Sequence, residues 1–174
     1  MGYTHYYRFS KNPQTIENGA EKFANAVKAT KICLDRLPKR IYYTKKLYNE
    51  ATRAFDIKKK SSYRLYPMRG GDGYGKPIFE PDYIFFNGDE KHKQGKETFY
   101  IDFSHDFCTF CKTARKPYDV AVCIALLCFK HYFGDDFELS SDGDIEGGEE
   151  GWKRAKRITE DYFAEQLYRE ISHN

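Results

Sequence analysis

The chain of 174 residues lacks the features that would place it in a membrane or an oxidising compartment. No apolar run reaches the ~18 residues that a membrane span needs. The opening MGYTHYYRFSKNP has no apolar core of the kind a secretory leader carries. Its sixth position is Tyr6, not the Ser or Thr of a myristoylation sequence. These absences lead to the expectation of a cytoplasmic protein with no membrane partner. Five cysteines is an odd number, and at least two lie in an apolar stretch, so they read as reduced thiols rather than a disulfide framework. His105-Asp106, His131 and several acids offer acid–base groups, but no full HExxH or HD-type metal signature, no paired histidines of a two-histidine phosphoesterase and no named nucleic-acid reader motif accompany them. Cys108 and Cys111 form one CxxC with His105 nearby. No second pair follows, and structural zinc takes four ligands at set spacing, so neither metal nor cofactor is expected.

What is present in quantity is aromatic and charged. Aromatics make up 17% of the chain, 15 Tyr and 14 Phe, which implies many rings that pack on one side and keep a hydroxyl to bond on the other. The formal charge of +3 conceals a sharp asymmetry. Residues 28–69 hold thirteen Lys and Arg against Asp35, Glu50 and Asp56, while residues 135–150 hold eight acids and no Lys or Arg. A basic block beside an acidic one steers polyanions, pairs with another copy of the chain, or simply forms solvated faces. The length suits one domain able to bury a core, with a flexible Gly-rich loop near 58–81.

Residues 2–9 alternate, with Tyr3, His5, Tyr7 and Phe9 on one side, and predict a strand. Asn12-Pro13 suits a helix start, and Ile16, Ala20, Phe23, Ala24 and Val27 carry the helical spacing to about Leu34. Ile41, Tyr48, Ala51 and Phe55 suggest a second helix with a basic outer face. Two β-rich runs, 82–87 and 97–103, predict an antiparallel hairpin, and 136–141 a last strand before the turn at Asp142-Gly143. A final helix has Trp152, Ala155, Ile158, Tyr162, Phe163, Gln166 and Ile171 on its inner stripe. The order implies an α+β fold, an antiparallel or mixed sheet packed against helices, with one buried central helix.

That central helix follows the most informative stretch, FCKTARKPYDVAVCIALLCFKHYF at 110–133. Lys112, Thr113, Arg115 and Lys116 precede Pro117, which suits a first helical position, and Asp119 suits the first turn. The run to Phe129 is apolar all round and must be buried. Three cations and a hydroxyl at a helix start favour anions, phosphate above all. Arg115 offers a planar fork, Lys112 and Lys116 point charges.

GYTHY at 2–6, Asn87-Gly88, FCKTARKPYD at 110–119 and SSDG at 140–143 resemble, in that order, a family of uncharacterised bacteriophage and prophage proteins. The resemblance implies a phage setting rather than a chemistry. By analogy of context, small phage proteins with cationic, aromatic pockets include sponges that sequester nucleotide immune signals and enzymes that cleave them. The expectation is therefore a non-catalytic counter-defence protein binding a phosphorylated nucleotide, of the cyclic ADP-ribose or cyclic dinucleotide type. Lys112, Arg115 and Lys116 hold phosphate, Thr113, Ser140, Ser141 and Asp142 fix ribose or base, and Tyr3, His5 and Tyr118 form walls. A homo-oligomer is expected, since such a pocket needs more wall than one small chain offers. The alternatives are a phosphodiesterase for the same nucleotides, or a nucleic-acid binder using the basic 39–64 segment with its interleaved tyrosines.

Overall fold

The computed structural model describes residues 2–38, 40–49, 53–64, 68–104, 109–146 and 150–172, with backbone alone for 40–49 and 54–64. The α+β expectation is met: the described strands form three antiparallel sheets, with three α-helices. The first sheet places β1 (Thr4–Phe9) between β8 (Thr109–Lys112) and β9 (Phe137–Ser141). Its register sets His5 opposite Cys111 on one side and Ser141 on the other. The second is centred on β6 (Tyr83–Gly88), which pairs with β4 (Met68–Arg69), β5 (Ile78–Glu80) and β7 (Phe99–Asp102). The expected hairpin of 82–87 with 97–103 is the β6–β7 pair. The sheets meet where Tyr7 packs on Phe99 and its hydroxyl donates to the Tyr100 carbonyl at 3.0 Å.

The buried helix is α2 (Asp119–Phe133), packed against α1 (Gly19–Asp35), α3 (Glu150–Ser172) and β9. Its side chains from Val120 to Leu126 are buried, as an all-round apolar run requires. Phe129 is fully buried, with the Phe9, Phe23, Phe133 and Phe137 rings 4.9–6.5 Å away. Burial of a ring of that size contributes roughly 1.5–3 kcal/mol. Gly134, at φ +55°, ends the helix in a conformation that side chains rarely adopt.

Several boundaries differ from the sequence reading. Asn12 caps only a single 3₁₀ turn, Pro13–Thr15, because Asn18 adopts a left-handed conformation that breaks the run. α1 begins at Gly19, where a Cβ would lie 2.2 Å from the Pro13 carbonyl oxygen. In place of the expected second helix there is an antiparallel hairpin of β2 (Arg40–Asn49) and β3 (Ala54–Arg64). The run Ile41-Tyr42-Tyr43-Thr44 is β-branched and aromatic, and that local preference outweighs four residues at helical spacing. The 58–81 segment likewise divides into the end of β3, β4, β5 and a turn at 70–75. That turn is closed by Gly70 N–H donating to Tyr74 O at 2.6 Å and by Glu90 N–H donating to Gly73 O at 3.1 Å. Residues 65–67 lie outside the described residues. In α3 the inner stripe runs from Trp152 to Tyr162, whereas Ile171, in the last turn, is 67% exposed. None of the described helices is long and apolar enough to cross a membrane.

Candidate anion cleft and the buried network beneath it

The short segment between β8 and α2 turns sharply. Ala114 (φ +51°) and Arg115 (φ +55°) are both left-handed, a conformation costing non-glycine residues roughly 1–2 kcal/mol each. The turn is held by Ala114 N–H donating to Tyr3 O at 3.1 Å and Lys116 N–H donating to Thr113 O at 3.0 Å. It carries the Arg115 guanidinium over the Tyr3 ring, 4.1 Å from its centroid, while Tyr3 itself is almost wholly buried. Backbone strain that aims a cation is a common mark of a functional site.

Arg115 and Lys116 open onto a cleft of about 210 Å³ at the start of α2, with Tyr3, Pro117, Asp119 and Val120 from this side. From α3 come Glu150, Gly151 and Arg154, with Arg154 donating to Glu150 at 3.0 Å. A second, wider cleft of about 780 Å³ lies beyond Lys116, lined among others by Lys93, Lys96, Asn87, Thr98, Gly71 and Lys116 itself. Lys116 is the ridge between the two, its Nζ donating to the Lys93 carbonyl at 2.9 Å. Two acids, Asp72 and Glu90, also line the wider cleft. Acids from the 135–150 block pair elsewhere as well: Glu138 with Arg8, Asp136 with Lys11 and Glu146 with Lys156. A third cleft, of about 540 Å³ between α1 and β5, is mostly apolar, its charges balanced as Lys31 and Lys76 against Asp35 and Glu80.

Under the first cleft lies a closed polar network. His5 is fully buried; its Nδ1 is 3.0 Å from Ser141 Oγ and its Nε2 is 2.9 Å from Asp119 Oδ1. Thr113, also fully buried, donates its hydroxyl to the same Asp119 oxygen. The Cys123 thiol, one turn along α2, is 3.9 Å from both His5 Nε2 and Asp119 Oδ2. Burial first, then the Asp119 carboxylate, pushes that thiol well above the ordinary cysteine range, so it is protonated within this network. Trp152 sets its ring edge-on to His5 at 5.1 Å, and its Nε1–H, though buried, finds no partner among the described residues.

Of the ten residues singled out from sequence, Tyr3, Arg115 and Lys116 come together on the cleft, and His5, Thr113 and Ser141 meet beneath it. The other four are elsewhere, each for a local reason. Lys112 extends over Gly2, where a Cβ would meet its Cε at 2.6 Å. Tyr118 is fully buried under β6, its hydroxyl donating to the Glu97 carbonyl at 2.6 Å, and is no wall. Strand alternation turns Ser140 to the opposite face from Ser141. The Asp142 carboxylate is occupied by the Thr4 backbone N–H at 3.0 Å. The helix itself starts at Asp119, not Pro117, and the Asp119 and Ala121 N–H groups donate to the carbonyls of Lys116 and Tyr118. The positive charge at this cleft therefore comes from side chains more than from bare helix N–H groups. Cys111 is buried within 3.5 Å of the Glu97 carbonyl, and Cys108 and His105 lie outside the described residues. Sequence reading missed Arg154, Lys93 and Lys96, and no local spacing signals them. It assigned Asp119 only to the first turn and Cys123 only to the apolar core. Comparisons with protein-family models, with curated proteins and with solved structures find no match to this chain.

Proposed function

We propose that this chain binds a phosphorylated nucleotide and retains it without turnover, with phosphate in the cleft at the start of α2. The observation that carries the reading is the convergence of Arg115, Lys116 and Arg154 on one cleft beside the Tyr3 ring. Charge-assisted bonds from guanidinium forks and an ammonium are the strong ones for phosphate. The first cleft is below the ~300 Å³ typical of a small-ligand site. A second phosphate, where the nucleotide carries one, extends past Lys116 into the wider cleft, where the Lys93 and Lys96 ammonium groups supply donors. In the phage setting that the sequence motifs resemble, such retention in the host cytoplasm would withhold a cyclic nucleotide signal from its receptor. A homo-oligomer belongs to the same proposal and is read by light scattering.

A second reading, cleavage of the same nucleotide, is favoured by the His5–Asp119 pair lying directly under the cleft. One experiment separates the two. The protein is incubated with a panel of cyclic dinucleotides and ADP-ribose derivatives, freed of excess ligand, then heated and chromatographed. Retention returns the ligand intact, whereas cleavage returns fragments. Arg115→Ala is expected to weaken uptake about tenfold or more, since one charge-assisted hydrogen bond is worth roughly 1.5–3 kcal/mol. Uptake unchanged in Arg115→Ala would rule out this cleft as the site.

A further inference from the structure

We propose that His5, Asp119 and Cys123 hold one borderline divalent cation of the zinc type, with its remaining coordination position turned toward the first cleft. The donor atoms of these three buried residues all lie within 4.8 Å of one another. The separations, 2.9 Å for Nε2–Oδ1, 3.9 Å for Sγ–Nε2 and 3.9 Å from Sγ to the second carboxylate oxygen, Oδ2, lie on either side of what a tetrahedral ion requires. Bonds of about 2.0 Å to nitrogen or oxygen and 2.3 Å to sulfur put tetrahedral ligands roughly 3.3–3.6 Å apart. Imidazole, carboxylate and thiolate together are a set that zinc accepts and that calcium or magnesium does not favour.

The scaffold suits the role. Asp119 and Cys123 are four residues apart on α2 and so share one face, while His5 reaches them from the central strand of the first sheet. Ser141 Oγ, 3.0 Å from His5 Nδ1, fixes the ring, and Thr113 braces the carboxylate, the outer support that zinc ligands usually have. On the side toward the cleft the neighbour is Gly151. A Cβ there would stand 2.5 Å from Asp119 Oδ2 and 3.7 Å from Cys123 Sγ, so any larger side chain would fill the space between the cleft and these donors. Asp119 and Gly151 both line the cleft. On binding, the Cys123 thiol gives its proton to solvent, His5 keeps its proton on Nδ1 toward Ser141, and Nε2 turns its lone pair to the ion. Three protein ligands with one position open is the arrangement of a zinc that also binds an exchangeable group. The identity of that group, an oxygen of the bound phosphate, rests on the function proposed above.

The test is cobalt(II) titration of the full chain after removal of metal by chelator. The expected result is uptake of one ion per chain with a sulfur-to-cobalt charge-transfer band. That band is absent in Cys123→Ser and retained in Cys33→Ser, and Ser141→Ala weakens the affinity by about 10–100-fold. X-ray absorption of the zinc-loaded wild type, which needs no variant, should show one sulfur and otherwise nitrogen and oxygen neighbours. No stoichiometric uptake, or an inner coordination sphere without sulfur, overturns the proposal. Inorganic phosphate should then shift the visible cobalt bands; if it does not, the open position is overturned. Nucleotide uptake by a metal-free chain that takes no cobalt would remove this inference alone. Cobalt uptake by a chain that binds no nucleotide would remove the anion reading instead.

Discussion

A methyl group at position 151 would fall 2.5 Å from Asp119 Oδ2, and that carboxylate has little freedom to retreat, since His5, Thr113 and Cys123 all contact it. Gly151 is the second residue of α3, where intrinsic propensity favours alanine by less than the roughly 0.5–1 kcal/mol of a helix interior. The two effects oppose each other, and overpacking of a pinned neighbour, at about 1–3 kcal/mol, is the larger. Gly151→Ala is therefore expected to lower stability by about 1–2 kcal/mol in urea denaturation. An increase in the unfolding midpoint would show that the Asp119 carboxylate moves freely and that the network beneath the cleft is looser than its distances imply.

At the level of elements, Asp89 ties together the strands and turn that wall the wider cleft. Its Oδ2 is 3.1 Å from an Arg69 guanidinium nitrogen on β4 and 3.1 Å from His92 Nδ1 just past β6. Burial raises its pKa, but the hydrogen bonds from His92 and Arg69 outweigh that and hold it below the ordinary carboxylate range. The unfolded chain then takes up this proton at higher pH than the folded chain does. The stability that Asp89 contributes is complete above about pH 5 and disappears as pH falls below about 4 and through the folded value. The stability difference between wild type and Asp89→Asn, measured from pH 6 downward, should shrink across that acid range. A difference that stays constant with pH would mean the ion pairs do not form. The elements themselves were unevenly legible in the sequence. The aromatic alternation of residues 3–9 and the unbroken apolar run after Asp119 were clear, because each is a strong periodic signal within one segment. The β2–β3 hairpin was misread, since a few apolar residues at helical spacing carry less weight than a β-branched, aromatic run. The site was half legible. Arg115 and Lys116 stand beside the helix they serve, whereas Arg154 and the His5–Asp119–Cys123 cluster depend on chain pairings more than thirty residues apart that no local pattern encodes.

Across the whole molecule, the net charge of +3 matters less than where the cations converge. Arg115 and Arg154 face the smaller cleft, Lys93 and Lys96 the larger, and Lys116 both. A ligand with one phosphate needs only the first group, while a cyclic dinucleotide, with two phosphates, must draw on both. Reversing charge in the wider cleft, Lys93→Glu with Lys96→Glu, should thus leave a nucleoside monophosphate within about twofold of its wild-type affinity. It should weaken a cyclic dinucleotide about tenfold or more, given roughly 1.5–3 kcal/mol for each hydrogen bond from a lysine ammonium to phosphate. Lys116→Ala, at the shared ridge, should weaken both. Calorimetry on the three proteins with the two ligands, at one ionic strength and again at higher salt, reads this directly, because screening should erode the dinucleotide's advantage first. An equal weakening of both ligands in the double variant would mean that the two clefts do not share one ligand, and the dinucleotide class would then be the wrong one for this protein.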